Sequence, residues 1–453
     1  MVARSLSGSI VALALASSSL AFAQPETPPP PGGERAAMTE TPGQRYLRKK
    51  HGIDATEARM RLDLEEEIAA LAGSLAERDP DDFGGIFIEH DPTYKVIIKF
   101  KSADNRNALR ESLSPQLRRH VQIMNSRRSI AEREATIDQI IAAVDTIGVQ
   151  YVSFYDHRTD KLVVEVAEAS QVSEVRRALD RSFQNDIIVR TGSLPEPLQV
   201  SGNQPGDAIY SGWWWYSSPT ASSHSCSFAF PAVDNQNRNI ILTAAHCNTT
   251  PHIFHDPNYS KLSAPTFEWL TGKYDYQGHI ITGLTTGPYI WYEDNAIHID
   301  GYEGRNNQVT AANTSGYFTV TGTRGYYDQT VGQVLCKSGR STGFTCGKIT
   351  HGWYTHNGAK GWIQVGDSSQ DIIAYKGDSG AGVFTDSTYD YKVKAAGILS
   401  AGNTFKITKP DGTPGTRPCL PEDETRLNID CYFISMPIDY VDDQQWVQIK
   451  TGN

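Results

Sequence analysis

Hydrophobic positions recur with a helical period in the first part of the chain. Between residues 57 and 78, apolar side chains return every three or four positions among charged ones, which predicts an amphipathic helix. The alternating runs Phe83–Glu89 and Lys95–Phe100 then flank Asp91 and Pro92. Two such runs around a turn are typical of a β-hairpin. A helix followed by a hairpin is therefore predicted here.

The hairpin pattern appears a second time. Residues 150–155 and 162–166 alternate on either side of a turn at 157–160, and residues 170–183 follow with a helical period. We expect a hairpin-then-helix unit that occurs twice, which makes residues 43–200 an α+β domain. This stretch carries no catalytic constellation that the sequence reveals.

The pattern changes near residue 200. Gly, Ser, Thr, Tyr and Trp become frequent, charged residues become sparser, and short alternating runs are broken by turn residues. Antiparallel β structure has this pattern. Residues 201–453 are therefore predicted to form a second, all-β domain.

The first residues resemble an export signal. Arg4 precedes an apolar stretch at 10–16, and Ala21-Phe22-Ala23 offers small residues for cleavage. We expect residues 1–23 to be a signal peptide and residues 24–42 to be a Pro-rich linker. The apolar stretch is shorter than the ~20 residues that cross a bilayer, so we expect a secreted protein that is not held in a membrane.

Charge and cysteine content narrow the class of protein further. A formal net charge of −10 with a pI near 5.7 argues against nucleic acid as a partner. All 6 cysteines follow residue 225. An even number in an exported chain favours three disulfides within the second domain.

Two short motifs carry candidate chemistry. Gly377-Asp378-Ser379-Gly380 offers a serine in a turn, where the backbone N–H groups of Gly377 and Ser379 can point at one oxyanion. His246 ends the apolar run 240–245, which predicts a buried strand that delivers the imidazole to a cleft. Gly-Asp-Ser-Gly also suits an ordinary turn, and a lone histidine beside a cysteine is usually structural.

A carboxylate completes the set needed for an activated serine. Asp294 precedes the alternating run 296–299, and a buried carboxylate is stable when it accepts a hydrogen bond from an imidazole. Asp275 and Asp300 are the rivals for this position. The chain order His, Asp, Ser is one of the known orders for a catalytic triad, and it favours a chymotrypsin-type double barrel.

These motifs resemble the trypsin-like serine peptidases. The longer signature Cys336-Lys337-Ser338-Gly339-Arg340-Ser341-Thr342-Gly343-Phe344-Thr345-Cys346-Gly347 is similar to the bacterial α-lytic protease and streptogrisin branch. Residues 206–210 resemble the start of a mature enzyme of this branch, and the preceding segment resembles its pro-region. The resemblance implies a trypsin-like double β-barrel at 201–453, and a pro-region at 43–200 that acts as intramolecular chaperone and inhibitor.

The resemblance also implies roles for individual residues. His246 would be the general base, Asp294 its orienting acid and Ser379 the nucleophile, with an oxyanion hole from Gly377 and Ser379. The implied substrate-binding residues are Ile373, Ala374, Ser400, Ala401 and Gly402. Ser400 would also donate to the catalytic aspartate, and Lys337 would pair with Asp378. The uncharged Ile373 and Ala374 imply an apolar specificity pocket for protein or peptide substrates.

The disulfide pattern follows from the resemblance only in part. The family commonly has a cysteine just before the nucleophile, which this chain lacks, and it has a Gly where Ala381 stands. The expected pairs are Cys226–Cys247, Cys336–Cys346 and Cys419–Cys431, the last one stapling an inserted loop.

Three other interpretations stay open. The chain resembles a protease but would also suit a catalytically silent secreted binding module. The histidines 246, 252, 255 and 279 suggest a metal site, although without well-spaced acidic or thiolate partners they are better interpreted as loop residues. The aromatic run 213–216 would suit a carbohydrate or partner surface, but packing near the first strand explains it better. We expect no cofactor, no metal and a monomer.

Overall fold

The computed structural model describes most of the chain after residue 38. The described residues are 39–103, 106–179, 186–198, 200–201, 214–216, 224–247, 252–253, 262–282, 286–294, 314–356, 358–366, 372–387, 389–408, 412–427 and 429–452. The predicted signal peptide 1–23, most of the linker 24–42 and the expected mature start at 206–210 lie outside them.

Helices lie mainly in the N-terminal part. They are α1 Pro42–His51, α2 Ala55–Arg78, α3 Arg106–Ser112, α4 Pro115–Arg118, α5 Ile130–Asp145, α6 Ala169–Ala178, α7 Pro421–Leu427 and α8 Tyr440–Gln445. Within the described part of the chain, none of them is long and apolar enough to cross a membrane.

The first two helices begin at capped residues. The side chain of Asp54 accepts a hydrogen bond from the backbone N–H of Glu57, so α2 begins slightly before the predicted residue 57. Thr41 and Gln44 cap α1 reciprocally. The last residues of the predicted linker, Thr41 and Pro42, therefore belong to a helix start.

The N-terminal strands confirm both predicted hairpins. Their bounds are β1 Phe83–Glu89, β2 Lys95–Phe100, β3 Val121–Asn125, β4 Tyr151–Asp156, β5 Lys161–Val166 and β6 Ile187–Thr191. β1 pairs with β2 and β4 with β5, both antiparallel. In each unit a third strand joins in parallel, β3 beside β2 and β6 beside β5, which the sequence did not predict. Parallel pairing depends on a distant return of the chain, and local periodicity carries no signal for it.

The rest of the chain is rich in strands, as predicted. The strands are β7 Glu196–Pro197, β8 Val200–Ser201, β9 Trp214–Tyr216, β10 His224–Ser227, β11 Pro231–Val233, β12 Asn239–Thr243, β13 His252–Ile253, β14 Phe267–Thr271, β15 Tyr274–Ile280, β16 Tyr289–Asp294, β17 Thr314–Thr323, β18 Val334–Gly339, β19 Gly343–His356, β20 Ala359–Gly366, β21 Gly382–Thr385, β22 Lys392–Gly402, β23 Thr404–Thr408, β24 Pro414–Pro418, β25 Tyr432–Pro437 and β26 Gln448–Ile449.

This region is not purely β, because it contains α7 and α8. Pro421 stands at the start of α7 and acidic residues fill its first turn, a composition that favours a helix N-terminus. The predicted β-rich region therefore also contains two short helices.

Two sheets position the candidate site. One has the strand order β14-β15-β12-β11-β26, and the other contains β16-β17-β22-β21-β18-β19 with β20 and β25. The second sheet continues into the N-terminal region, because β19 pairs with β4 between Thr355 and Ser153. A single hydrophobic cluster includes side chains from both regions.

The N-terminal region also contacts the C-terminal region through polar groups. The backbone N–H of Ile88 donates to the carbonyl of Val331 at 2.8 Å, and that of Val334 donates to the carboxylate of Glu65 at 3.1 Å. Asp386 accepts from the hydroxyl of Thr41 at 2.6 Å and thus contacts the start of α1. The two regions are therefore joined by specific contacts as well as by apolar packing.

The three disulfides connect the cysteines in the expected pairs. They are Cys226–Cys247, Cys336–Cys346 and Cys419–Cys431. Each pair lies within the C-terminal region, so the confirmed pattern leaves the N-terminal region without covalent cross-links in its described residues.

Candidate active site

Ser379 lies in a sharp turn between residue 375 and strand β21. Gly377 and Gly380 have φ values of 104° and 83°, a backbone conformation that glycine adopts without strain. A Cβ on Gly380 would lie 2.3 Å from the carbonyl oxygen of Ser227, so this turn packs against strand β10 without room for a side chain. Ser379 itself is fully buried.

His246 reaches Ser379 from the other sheet. Strand β12 ends at Thr243, and His246 follows in a short 3-10 turn that Cys247 ties to Cys226. The His246 Nε2 atom is 2.7 Å from the Ser379 Oγ atom. The predicted pair of imidazole and hydroxyl is therefore brought together at hydrogen-bond distance.

Asp275, the rival of Asp294 in the sequence, partners the imidazole. The Asp275 Oδ2 atom is 2.6 Å from His246 Nδ1, and Asp275 Oδ1 accepts from the backbone N–H of His246 at 2.9 Å. The hydroxyl of Ser400 also donates to Asp275, as the resemblance implied. Burial alone would raise the pKa of Asp275, but the imidazole and these hydrogen bonds hold it below its ordinary value.

The choice of Asp294 is corrected by the strand pairing. Strand β15 pairs with β12 so that Gln277 lies opposite Thr243. Two residues earlier on β15, Asp275 lies beside the 3-10 turn that carries His246, and its carboxylate accepts the His246 backbone N–H. Asp294 instead ends strand β16, where its backbone pairs with residues 314 and 344, and Asp300 lies outside the described residues.

The predicted pair of Lys337 and Asp378 stabilises the turn that carries Ser379. The Lys337 Nζ atom is 3.2 Å from an Asp378 carboxylate oxygen, and both side chains are fully buried. The Asp378 carboxylate also accepts the backbone N–H groups of Ser341 at 2.7 Å and Tyr375 at 2.9 Å. Burial lowers the pKa of Lys337, although the charge of Asp378 opposes this.

A segment of the chain itself occupies the groove beside Ser379. The carbonyl oxygen of Leu198 accepts a hydrogen bond from the backbone N–H of Gly377 and lies 3.5 Å from that of Ser379. These are the two donors predicted for an oxyanion. Leu198 is fully buried, and nothing in its local sequence marked it as a site residue.

Strand pairing on both sides of Leu198 fixes the path of this segment. Glu196 and Pro197 pair antiparallel with Gly402 and Ala401 of strand β22. Beyond Leu198, strand β8 pairs antiparallel with strand β10. The chain thus crosses the site as an extended peptide held at both ends.

Of the predicted substrate-binding residues, Ser400, Ala401 and Gly402 lie beside this segment or beside Ser379. Ala401 and Gly402 pair with it through the backbone, and a Cβ on Gly402 would lie 3.0 Å from a methyl carbon of Leu198. The carbonyl oxygen of Ser400 is 3.2 Å from the Ser379 Oγ atom. Ile373 and Ala374 are buried in the segment that leads to the serine turn.

Of the four histidines suggested for a metal site, the structure describes the side chains of His246 and His279. His279 is buried and its Nδ1 lies 3.0 Å from the carbonyl oxygen of Ser263, with burial lowering its pKa to about 4. His255 lies outside the described residues, which contain no group of three or more side chains suited to hold a metal ion. Of the aromatic run, residues 214–216 form strand β9, which pairs with β10.

A comparison with solved structures returns proteases. No family model matches the chain. Protease A from Thermobifida fusca is 19% identical with a TM-score of 0.33, and its whole length is matched by 54% of this chain. A Nocardiopsis protease is 14% identical with a TM-score of 0.34, again over its whole length and 55% of this chain. A Cellulomonas bogoriensis chymotrypsin is 18% identical with a TM-score of 0.31, over 99% of its length and 54% of this chain.

Proposed function

We propose that this chain is a secreted serine endopeptidase, made as a precursor whose N-terminal region occupies its own substrate groove. One observation carries the proposal. The Ser379 hydroxyl is 2.7 Å from an imidazole that is oriented by Asp275, beside a carbonyl oxygen held by the backbone N–H groups of Gly377 and Ser379. Nucleophile, base, orienting acid and oxyanion donors thus surround one peptide carbonyl.

The first half of the reaction forms an acyl-enzyme. Ser379 Oγ attacks the carbonyl carbon while His246 Nε2 takes the hydroxyl proton, and the oxygen becomes an oxyanion held by the two N–H donors. Each donor of this kind contributes about 3 kcal/mol to the transition state. As the carbonyl re-forms, the C–N bond breaks and His246 returns the proton to the leaving amine.

The second half of the reaction releases the acid. Water attacks the ester carbon of Ser379, again giving its proton to His246, and the serine oxygen leaves with that proton. Asp275 stays an ionised carboxylate throughout both halves of the reaction. Its role is to hold His246 in the tautomer with the proton on Nδ1 and to stabilise the imidazolium that forms. No cofactor enters either step.

The pocket is proposed to be apolar. Leu198 occupies the position of the residue that supplies the scissile carbonyl. Its side chain lies in the space that Gly402 leaves open, because Gly402 has no side chain. A charged residue in this fully buried position would lose its hydration without a partner. Large aliphatic residues are therefore the proposed primary preference.

The N-terminal region is proposed to be both a folding aid and an inhibitor. It buries apolar surface against the C-terminal region. Its strand β4 also continues the large sheet by pairing with β19. Its last residues fill the groove, which blocks other peptides. Denatured C-terminal region should regain activity only when residues 24 to about 200 are supplied, and equal recovery without them would reject the folding role.

We further propose that the bond between Leu198 and Gln199 is the first one cleaved. The Leu198 carbonyl is the group held at the two N–H donors, and the chain runs on through strand β8 as a leaving peptide would. Cleavage at this bond would free the groove once the N-terminal region departs.

Active-site labelling separates the enzyme from a silent binding module. The exported protein should react with a peptidyl phosphonate that carries a leucine side chain, and should hydrolyse a leucine p-nitroanilide peptide. A Ser379→Ala variant should do neither. A protein that binds the peptide but neither reacts nor hydrolyses would support the silent module instead.

A further inference from the structure

The described residues between 404 and 431 lie outside the large sheet and beside the groove, and we call residues 404–431 the stapled insertion. It consists of the hairpin β23–β24 followed by helix α7, and the disulfide Cys419–Cys431 closes its second half. It follows strand β22 and precedes strand β25, which are neighbours in the large sheet. The insertion therefore leaves and rejoins the sheet at the edge of the groove.

Asn403 closes the neck of the stapled insertion. Its side-chain amide donates to the carbonyl oxygen of Asp430 at 2.7 Å, and its side-chain oxygen accepts the backbone N–H of Tyr432 at 2.8 Å. Asn403 is 2% exposed, so these hydrogen bonds are shielded from water. The two ends of the insertion are thereby held at fixed positions.

The body of the insertion packs on the segment that leads to Ser379. The hydroxyl of Tyr375 donates to the carbonyl oxygen of Thr416 at 2.7 Å. Tyr375 also forms an apolar cluster with Ile372, Ile407 and Leu420. The insertion is thus anchored to the wall of the site and not only to the sheet.

The first residue of the insertion, Thr404, and the first residue after it, Tyr432, both contact the peptide segment in the groove. The Thr404 hydroxyl donates to a carboxylate oxygen of Glu196 at 2.9 Å. Just beyond the other end, the hydroxyl of Tyr432 donates to the carbonyl oxygen of Ser193 at 2.5 Å. Counted from Leu198 as the first residue before the scissile bond, Glu196 is the third and Ser193 the sixth.

We infer that the stapled insertion is a substrate-recognition wall, on which Thr404 selects a carboxylate on the third residue before the scissile bond. The inference rests on the proposed function and adds a specificity to it. The backbone contact of Tyr432 is independent of the side chain that a substrate carries at its sixth position. The hydroxyl of Thr404, by contrast, contacts a side chain, so it distinguishes one substrate from another.

The chemistry favours an acidic side chain at this position. A hydroxyl that donates to a carboxylate makes a charge-assisted hydrogen bond, which is stronger than one between neutral groups. Glu196 is half-buried, which reduces the competition from water. An alanine at the same position of a substrate would leave the Thr404 hydroxyl without this partner.

Peptide hydrolysis by the exported protein tests the selection. With p-nitroanilide peptides ending in Glu-Pro-Leu and Ala-Pro-Leu, the native protein should favour the glutamate peptide in kcat/KM by about fivefold to tenfold. Thr404→Val should bring this ratio close to one, and Thr404→Ser should restore it. Thr408→Val, an exposed position on the same strand, is the matched control and should keep the native ratio. A native ratio near one, or a ratio unchanged in Thr404→Val, would overturn the inference.

Hydrogen exchange tests the same contact without catalysis. In the full chain with Ser379→Ala, amide exchange over residues 193–198 should become about fivefold faster when Thr404→Val is added, and should not change with Thr408→Val. Equal exchange in the two variants would overturn the inference. If no peptide were hydrolysed while exchange responded as stated, the proposed function would fail and the Thr404 contact would stand.

Discussion

Asp275 holds His246 through two hydrogen bonds at once. One carboxylate oxygen lies 2.6 Å from the ring Nδ1 and the other accepts the backbone N–H of the same histidine at 2.9 Å. The second bond fixes the main chain and the first fixes the ring, so the imidazole has one orientation toward Ser379. Experiment can therefore decide which of the two candidate carboxylates, Asp275 or Asp294, orients His246.

Asp275→Asn should abolish most of the hydrolysis. An amide cannot hold the tautomer that leaves Nε2 free to accept a proton, and the loss in kcat is about ten-thousandfold. Asp294→Asn is the matched control and should stay within about threefold of the native rate, since both hydrogen bonds that orient His246 are assigned to Asp275. Steady-state hydrolysis of a leucine p-nitroanilide peptide measures both. A larger loss in Asp294→Asn than in Asp275→Asn would reverse the assignment.

Ser400→Ala should slow the reaction without disrupting the site. The variant removes one charge-assisted hydrogen bond to Asp275, while the two bonds to His246 remain. A loss of one such bond corresponds to about tenfold in kcat. KM should change little, because the backbone that pairs with substrate is unaltered. A native kcat in this variant would show that Ser400 does not support Asp275.

Lys337→Met should destabilise the turn that carries Ser379. Asp378 would remain buried with its backbone donors but without a cation, and removal of one partner of a buried pair costs about 3–5 kcal/mol. Lys392→Met is the control, because Lys392 and Asp390 form an exposed pair worth about 0–1 kcal/mol. Denaturant unfolding in a Ser379→Ala background, which prevents self-digestion, gives both free energies. Equal losses of unfolding free energy in Lys337→Met and Lys392→Met would contradict the claim that burial makes the Lys337–Asp378 pair more stabilising than the exposed pair.

Glu65 should make the precursor less stable as pH rises. Burial raises its pKa to about 8, so the folded chain keeps a proton that the unfolded chain releases near 4.5. Its contribution to the free energy of unfolding is therefore fully present below pH 4.5. Between pH 4.5 and about 8 this contribution falls by about 1.4 kcal/mol per pH unit. Glu65→Gln keeps the acceptor for Val334 but cannot ionise, so its stability relative to native should increase over this window.

The adjacent Glu66 provides the control for the pH experiment. Burial opposes its ionisation, but Arg324 and Lys394 hold its pKa below the ordinary value. Its contribution is present above pH 4.5 and lost as the pH falls through the lower, folded pKa. Glu66→Gln should therefore lose stability at neutral pH. Thermal unfolding of both variants across pH 5 to 8 gives the comparison, and parallel curves would contradict the role of Glu65.

The sequence identified the parts of the site that depend on local pattern. Ser379 and His246 were found from turn residues and from an apolar strand, and the structure places their reactive atoms 2.7 Å apart. Asp275 was named only as a rival, since its place beside His246 depends on the register of β15 on β12. A single sequence contains no measure of that register.

The fold shows the same division between local and distant signals. Both hairpins were predicted from alternation around a turn, whereas strands β3 and β6 were missed because their parallel partners come from another part of the chain. Leu198 was missed for a related reason. Its presence at Gly377 and Ser379 results from a groove built by residues about 180 positions later, and no motif around Leu198 announces it.

The most direct test is the N-terminal sequence of the exported protein, determined by mass spectrometry with and without Ser379→Ala. We expect a product that begins at Gln199 in the native protein and an uncleaved bond between Leu198 and Gln199 in the variant. Cleavage of that bond in Ser379→Ala, in a host without other proteases, would contradict the claim that Ser379 attacks the carbonyl held beside it.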